Sequence, residues 1–144
     1  MKDAEGEDKR EDEVEETVRK FESCKLTASE FSHGLHLTVA LFYVSSLREE
    51  EATDRMRASL FRFIEHHGVD PQKYNETITL FWIRLVRGFL KRVNTRRTLS
   101  DLADELVKSH GDSKIIFRHY SKELLMSDEA RRSWVEPDLK PLDF

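Results

Sequence analysis

Apolar residues recur along most of this chain at spacings of three and four residues, the pattern typical of amphipathic helices. The stretch at 28–47 is apolar on two sides of the helix, which indicates that neighbouring helices cover both sides. The same spacing predicts helices over 50–67, 71–93 and 98–109, and shorter helical segments over 11–22, 114–125 and 128–135. We find no convincing strand. We therefore predict an all-α, single-domain protein, a compact bundle of about five to six helices around those at 28–47 and 71–93.

Local signals indicate where several of these helices begin. Thr27 and Glu30 have the spacing of a capping box, in which the hydroxyl and the carboxylate satisfy free N–H groups at the helix start. Thr98 stands in the same position before the helix at 98–109. An Asp–Pro pair at 70–71 combines an N-cap residue with proline in the first turn. These signals predict helix starts near residues 28, 71 and 99.

Length and charge divide the chain into a tail and a domain. With 144 residues, nine Phe and only five Gly, the chain can form one helical domain with a sizeable core. Residues 1–20 hold nine acidic and five basic side chains, so they account for the whole net charge of −4. Such a run is normally solvated. We predict an acidic, flexible tail at 1–20 and a helical domain at 21–144.

Hydropathy and cysteine content indicate the cellular setting. No run approaches the roughly 18 apolar residues of a membrane span, and the acidic N-terminus does not fit a signal peptide. Cys24 is the only cysteine, so the chain has no internal disulfide, which favours a reducing compartment. We expect a cytoplasmic protein with no membrane partner.

Candidate chemistry begins with His33 and His36, which lie three residues apart on the helix at 28–47. Neutral imidazoles one turn apart can share a cation, and Glu30 lies one turn before His33. However, Glu30 and His36 differ by about 120° and about 9 Å of helical rise, so one ion cannot reach all three side chains. The alternative is that both histidines are hydrogen-bonded core or cleft residues and that Glu30 only caps the helix.

Four short motifs follow one another in the chain: FSHGLHL at 31–37, YNETIT at 74–79, YS at 120–121 and PD at 137–138. Their order resembles an uncharacterised family of small bacterial all-helical proteins with the motifs F/W-x-H-x-x-H-L and Y-H-E-T-[IL]-T, followed by Tyr-Ser and Pro-Asp. The resemblance would cover 21–142, and it implies site positions but no reaction. Those positions are His33, His36, Tyr74, Glu76, Thr77, Thr79 and Tyr120. The chain departs from the pattern at Asn75, where the family has a third imidazole.

From these residues we predict an internal polar pocket that binds a divalent metal (Zn, Fe or Mn) or a small ligand. The predicted metal ligands are His33, His36 and Glu76. Further predicted pocket residues are Glu30, Asn75, Thr79, His119 and Tyr120. Two alternatives stay open: Glu76 as a first-turn carboxylate favoured by the helix dipole, and the His–Tyr pair at 119–120 as a cap on the bundle end.

A basic set of side chains forms a second group of candidates. No acidic residue lies between Glu76 and Asp101, and the basic residues in that interval include Arg84, Arg87, Lys91, Arg96 and Arg97. Such a patch could contact phosphates or an acidic partner, and the alternative is a solvated helix face. Residues 21–144 are net neutral and carry no nucleic-acid-binding motif. We therefore do not expect nucleic acid as a partner.

Several enzyme classes do not fit the chain. It has no glycine-rich phosphate loop, no G-x-S-x-G elbow, no HExxH motif, and a single ExxH where a di-iron bundle needs two. Our first functional hypothesis is a cytoplasmic protein with a His/Glu pocket for a metal or a small ligand. The second is a non-catalytic interaction module that uses the acidic tail and the basic patch. The sequence leaves open whether the protein is an enzyme, which partner it has, and whether it is a homodimer.

Overall fold

The computed structural model describes residues 13–93 and 96–144, and the regular structure in those ranges is helical. Helix α1 occupies 13–22. The longer helices that follow are α2 (His33–Ser46), α3 (Glu49–His66), α4 (Glu76–Arg92) and α5 (Leu99–His110). The shorter elements are α6 (Lys122–Leu125), α7 (Asp128–Arg132), and the 3-10 helices Pro71–Lys73 and Ser113–Arg118. The predicted all-α bundle is confirmed.

Helix α2 lies at the centre of the bundle, where it packs against α3, α4 and α5. Leu37 and Leu41 lie on one face of this helix and Val39 on the opposite face, and each is fully buried. Helix α4 packs against α2 on one side and α7 on another. The pairing of α2 with α4 therefore forms the core, as the two-sided apolar pattern of 28–47 indicates.

The predicted start of α2 at residue 28 is wrong, because the helix begins at His33, more than one turn later. The Thr27–Glu30 capping box does form, because the Thr27 N–H donates to Glu30 Oε1 (2.9 Å) and the Glu30 N–H donates to Thr27 Oγ1 (3.2 Å). It closes a separate turn, after which Ser32 caps α2 by accepting from the Leu35 N–H. The turn places Phe31 flat against Phe21 at 4.6 Å, so burial of an aromatic pair decides where the helix begins.

The predicted helix at 71–93 is interrupted near its start. Asp70 accepts from the Gln72 N–H and begins only the short 3-10 helix Pro71–Lys73. Asn75 then adopts an extended conformation and caps α4 by accepting from the Ile78 N–H at 3.0 Å. The Asp–Pro signal therefore marks a tight turn that leads into α4, while Asn75 marks the start of the long helix.

Helix α1 and the C-terminal segment pack on the same core. Val14, Val18 and Phe21 of α1 are buried. Part of the predicted tail at 1–20 thus lies in this helix, and residues 1–12 are outside the described ranges. At the other end the extended segment 133–144 lies against the bundle, where Phe144 contacts Phe81 edge-on at 5.4 Å. None of the helices in the described ranges has the length and apolar content that crossing a membrane requires.

Candidate functional site

His33 and His36 lie in the first turn of α2, inside an aromatic environment. The His33 ring meets Trp82 of α4 edge-on, with 4.3 Å between ring centres. The His36 ring lies 5.7 Å from Phe31 at a tilt of 46°. The two imidazoles are themselves 6.2 Å apart, centre to centre, at 76°. The structure therefore brings the two predicted ligands of α2 together.

The outer nitrogen of each imidazole has no hydrogen-bond partner. His33 Nε2 and His36 Nε2 are both sealed from solvent, and no described residue donates to or accepts from them. Leaving a buried polar atom unpaired costs about 1–3 kcal/mol. A pair of such atoms on one helix is the most unusual feature of the described structure, because the large majority of buried side-chain polar atoms are paired.

Both histidines are held in the neutral form. Burial, and to a smaller extent the neighbouring His33, lower the pKa of His36 to about 4. Burial also lowers the pKa of His33, although a backbone group of His110 and the Asp112 carboxylate partly oppose this. At neutral pH each imidazole can therefore offer a nitrogen lone pair to an electrophile or a metal ion.

Glu76 lies at the start of α4 in a hydrogen-bonded cluster of its own. Arg57 of α3 donates through Nε to Glu76 Oε1 (3.0 Å) and through Nη2 to Oε2 (2.5 Å). The Tyr74 hydroxyl donates to Oε1 at 2.6 Å. Burial by itself would raise the pKa of Glu76, but the hydrogen bonds from Arg57 and Tyr74 outweigh it and lower the pKa. Burial and the Glu76 carboxylate raise the pKa of Tyr74. The carboxylate is thus charged and accepts three hydrogen bonds.

The structure does not bring Glu76 to the two histidines. Its carboxylate contacts α3, whereas His33 contacts Trp82, six residues further along α4 and about 120° around the helix. Glu30 is exposed and bonded to Thr27. Within 13–93 and 96–144, no three His, Cys, Asp or Glu side chains are grouped so that they could hold a metal ion.

Asn75 and Thr79, predicted as pocket residues, are tied into the backbone. The Asn75 amide donates to the Leu125 carbonyl at 2.8 Å, and the Thr79 hydroxyl donates to the Asn75 carbonyl at 3.1 Å. Between them, the Thr77 hydroxyl lies within 2.9 Å of the carbonyl oxygens of Ala130 and Ser133. Asn75 and Thr77 thus join the start of α4 to α6 and α7, whereas Thr79 bonds within α4, so the described contacts give these side chains a positioning role.

His119 and Tyr120 hold the C-terminal segment. The ring Nδ1–H of His119 points to the carbonyl oxygens of Lys140 (3.0 Å) and Pro141 (3.1 Å). The Tyr120 hydroxyl donates to the Val135 carbonyl at 2.6 Å. Both side chains are almost fully buried, which places them deeper than the bundle-end cap that we considered. Among the described contacts, neither side chain touches His33 or His36.

The basic residues of 84–97 are dispersed among several partners. Arg84 stacks on the Trp134 ring, with its guanidinium carbon 3.8 Å from the ring centre. Two ion pairs tie further members to other helices, namely Arg87 with Glu49 (2.8 Å) and Arg97 with Glu105 (2.9 Å). Lys91 and Arg96 are exposed. Arg84, Arg87 and Arg97 therefore have partners that no local pattern reveals, and a partner-binding patch stays a prediction.

Sequence reasoning missed a group of residues around Glu76. Arg57 and Phe61 of α3, together with Arg131 and Arg132 of α7, line the same cleft as Tyr74 and Glu76. The cleft has a volume of about 580 Å³. Its members come from three separate segments, and the arginines of α7 lie more than 50 residues after the others, so no spacing in the sequence could have grouped them.

Comparisons of the chain with protein-family models, with curated proteins and with solved structures found no match. The resemblance to the small bacterial helical family therefore stays a prediction based on its motifs.

Proposed function

We propose that the protein binds a divalent transition metal ion through His33 and His36. The observation that supports this proposal is the pair of buried Nε2 atoms, three residues apart on α2, that no described residue pairs. Metal coordination would satisfy both lone pairs at once, and imidazole is a ligand that suits zinc and iron. Glu76 is left out of the proposed ligand set because Arg57 and Tyr74 already occupy its carboxylate.

The two rings are close enough to share an ion after a modest movement. With a Zn–N bond of about 2.1 Å, a ring centre about 1.1 Å behind the nitrogen and a tetrahedral angle at the metal, two imidazoles on one ion lie about 5.2 Å apart, centre to centre. The centres of the His33 and His36 rings are 6.2 Å apart, so a shared ion requires side-chain rotations that bring the rings about 1 Å closer. Protons would compete weakly, because the pKa values of both side chains are lowered.

Two protein nitrogens leave coordination positions for water, a backbone oxygen or a small ligand. A nitrogen-only pair favours zinc or iron over manganese, which prefers oxygen ligands. In this proposal the metal centre would hold a small molecule beside the histidines or act as a Lewis acid on it. The reducing, cytoplasmic setting that the lone Cys24 favours is part of the same proposal.

Metal analysis of protein prepared without a histidine tag tests the proposal. We expect zinc or iron in the purified protein, or saturable uptake of one Zn²⁺ per chain on titration. His33→Ala and His36→Ala should each abolish this binding. His66→Ala is the matched control, because His66 is exposed at the end of α3 and should leave uptake unchanged. Absence of uptake by the wild-type protein, or equal loss in all three variants, contradicts a metal site at the His33–His36 pair.

A further inference from the structure

The cleft around Glu76 is a second candidate site, and it contains neither histidine of the His33–His36 pair. It is bounded by α3, the 3-10 helix Pro71–Lys73, the start of α4, and α7. Its volume of about 580 Å³ falls within the range of roughly 300–1,000 Å³ that small-molecule sites occupy. Charged groups and aromatic rings both line it, so its chemistry can indicate the class of ligand.

One wall of the cleft is rigid and electrically balanced. Arg57 holds Glu76 through two parallel hydrogen bonds, and Tyr74 donates a third to the same carboxylate. The Glu76 side chain is only 13% exposed, so solvent screens this cluster weakly. Because its donors and acceptors are already paired, the wall can orient a ligand but does not itself supply a free charge.

The opposite wall supplies positive charge. Among the described residues, the Arg131 guanidinium pairs with Asp128, three residues before it on α7, and the Asp128 side chain is 71% exposed. Exposed pairs of this kind contribute little, so an anionic ligand can compete for Arg131. In the part of the chain that the structure describes, no side-chain hydrogen bond or ion pair of the neighbouring Arg132 is found, and this side chain is exposed. Guanidinium groups match carboxylate and phosphate oxygens in geometry as well as charge.

An aromatic surface completes the cleft. Phe61 is 41% exposed, which is unusual for a phenylalanine, and its ring lies 4.3 Å from the Tyr74 ring at a tilt of 31°. The two rings stack on each other beside the arginines, so the ring edges and the uncovered part of Phe61 are left for a ligand. This aromatic surface favours a flat ring over an aliphatic chain, because offset and edge-on aromatic contacts add to the burial of apolar area.

We infer that this cleft binds a small organic anion in which a planar ring carries a phosphate or carboxylate group. The ring contacts Phe61 and Tyr74. The anionic group is bound by Arg131 and Arg132, and the Glu76–Arg57 pair holds Tyr74 in place. The metal proposed at His33 and His36 plays no part in this site.

Titration of ¹⁵N-labelled full-length protein, followed by amide chemical shifts, tests the inference with three probes. Phenyl phosphate carries both features, phenol carries only the ring, and inorganic phosphate carries only the anion. We expect phenyl phosphate to bind saturably below about 10 mM, and each partial probe at least about tenfold more weakly. The shifts should centre on residues 57–61, 74–76 and 128–132. No saturable shift with phenyl phosphate, equal binding of phenol, or shifts centred elsewhere overturns the inference.

Matched variants separate the two contacts. Arg132→Gln should weaken phenyl phosphate binding about fivefold to tenfold and reduce its dependence on salt, because one guanidinium contact is lost. Phe61→Leu should weaken it about threefold to tenfold, because it keeps the apolar volume but removes the ring. The control Arg118→Gln changes an exposed arginine outside the cleft and should bind as the wild type does. His33→Ala should also bind normally, which separates this inference from the metal proposal. Equal weakening by Arg118→Gln, or none by Arg132→Gln, overturns the assignment.

Discussion

The start of α2 and the start of α4 differ in whether their buried polar side chains have hydrogen-bond partners. At the start of α4, residues 75–77 place an amide, a carboxylate and a hydroxyl in sequence, and each has partners on another element. At the start of α2, His33 and His36 are set among aromatic rings and their Nε2 atoms have no described partner. Both segments come from the motifs on which the predicted site was based.

This contrast separates positioning residues from candidate ligand-binding residues. A polar group with all its partners inside the protein stabilises one arrangement of the helices and has no lone pair left for a ligand. A buried polar group without a partner lowers stability, and an external ligand can recover that loss. The predicted site of His33, His36 and Glu76 therefore divides into a half on α2 with two unpaired nitrogens and a half on α4 whose polar groups are paired.

Acid should destabilise the protein mainly through the α2 half. The folded pKa of His36, about 4, lies below its ordinary value of 6.5, mainly because of burial. Between these pH values the unfolded chain binds more protons, so stability is complete above about pH 6.5 and falls as the pH is lowered toward 4. At about 1.4 kcal/mol per pH unit, we expect a loss of about 3 kcal/mol from this side chain. Urea unfolding at a series of pH values measures it.

The variant His36→Leu is the control for that loss. When both proteins are compared without bound metal, the variant should remove most of the slope and should be at least as stable as the wild type at pH 7, because an unpaired buried nitrogen is replaced by an apolar group. A smaller slope of the same sign should remain, since burial also lowers the pKa values of His33 and His110. An unchanged slope in His36→Leu would show that His36 is protonated freely in the folded protein.

In the α4 half, Thr77→Val should lower the free energy of unfolding by about 2 kcal/mol. The Thr77 hydroxyl is fully buried, contacts the Ala130 and Ser133 carbonyl oxygens, and accepts from the Val135 N–H at 3.3 Å. Valine has nearly the same shape, so the loss reports hydrogen bonds and not packing. Urea denaturation measures the difference. Thr53→Val, at a hydroxyl on α3 that bonds within its own helix, should cost much less.

The smallest effect is expected at the carboxylate itself. Glu76→Gln keeps the side-chain shape but weakens both contacts to Arg57, so we expect a loss of about 1 to 2 kcal/mol, discounted because Arg57 is 34% exposed. Asp54→Asn is the matched control, because Asp54 contacts the same guanidinium at 2.9 Å from a position that is 76% exposed. Its cost should stay below about 0.5 kcal/mol. Equal losses in the two variants would mean that burial of Glu76 adds nothing.

Local signals predicted helix starts well only where nothing distant interfered. Thr98 caps α5 as its spacing predicts, with its hydroxyl accepting from the Asp101 N–H at 3.1 Å. The Thr27–Glu30 box forms with equally good geometry, yet α2 starts after it because Phe31 stacks on Phe21 of another helix. A capping pair is encoded within four residues, whereas the contact that ends the turn joins Phe31, just before α2, to Phe21 of α1.

The amino-acid sequence by itself determined that this chain is all-α and that the stretches around α2 and α4 form its core. Periodicity is a local property, and two apolar sides on one helix require covering neighbours whatever their identity. Tertiary structure alone decided which polar side chains of the predicted site have partners and which do not. The packing of α3 against α4 gives Glu76 its partner Arg57. The packing of α7 against α4 brings Arg131 and Arg132 to the same cleft. The packing of Trp82 and Phe31 around α2 left two imidazole nitrogens unpaired, because side-chain partners depend on how helices cross and not on their spacing in the chain.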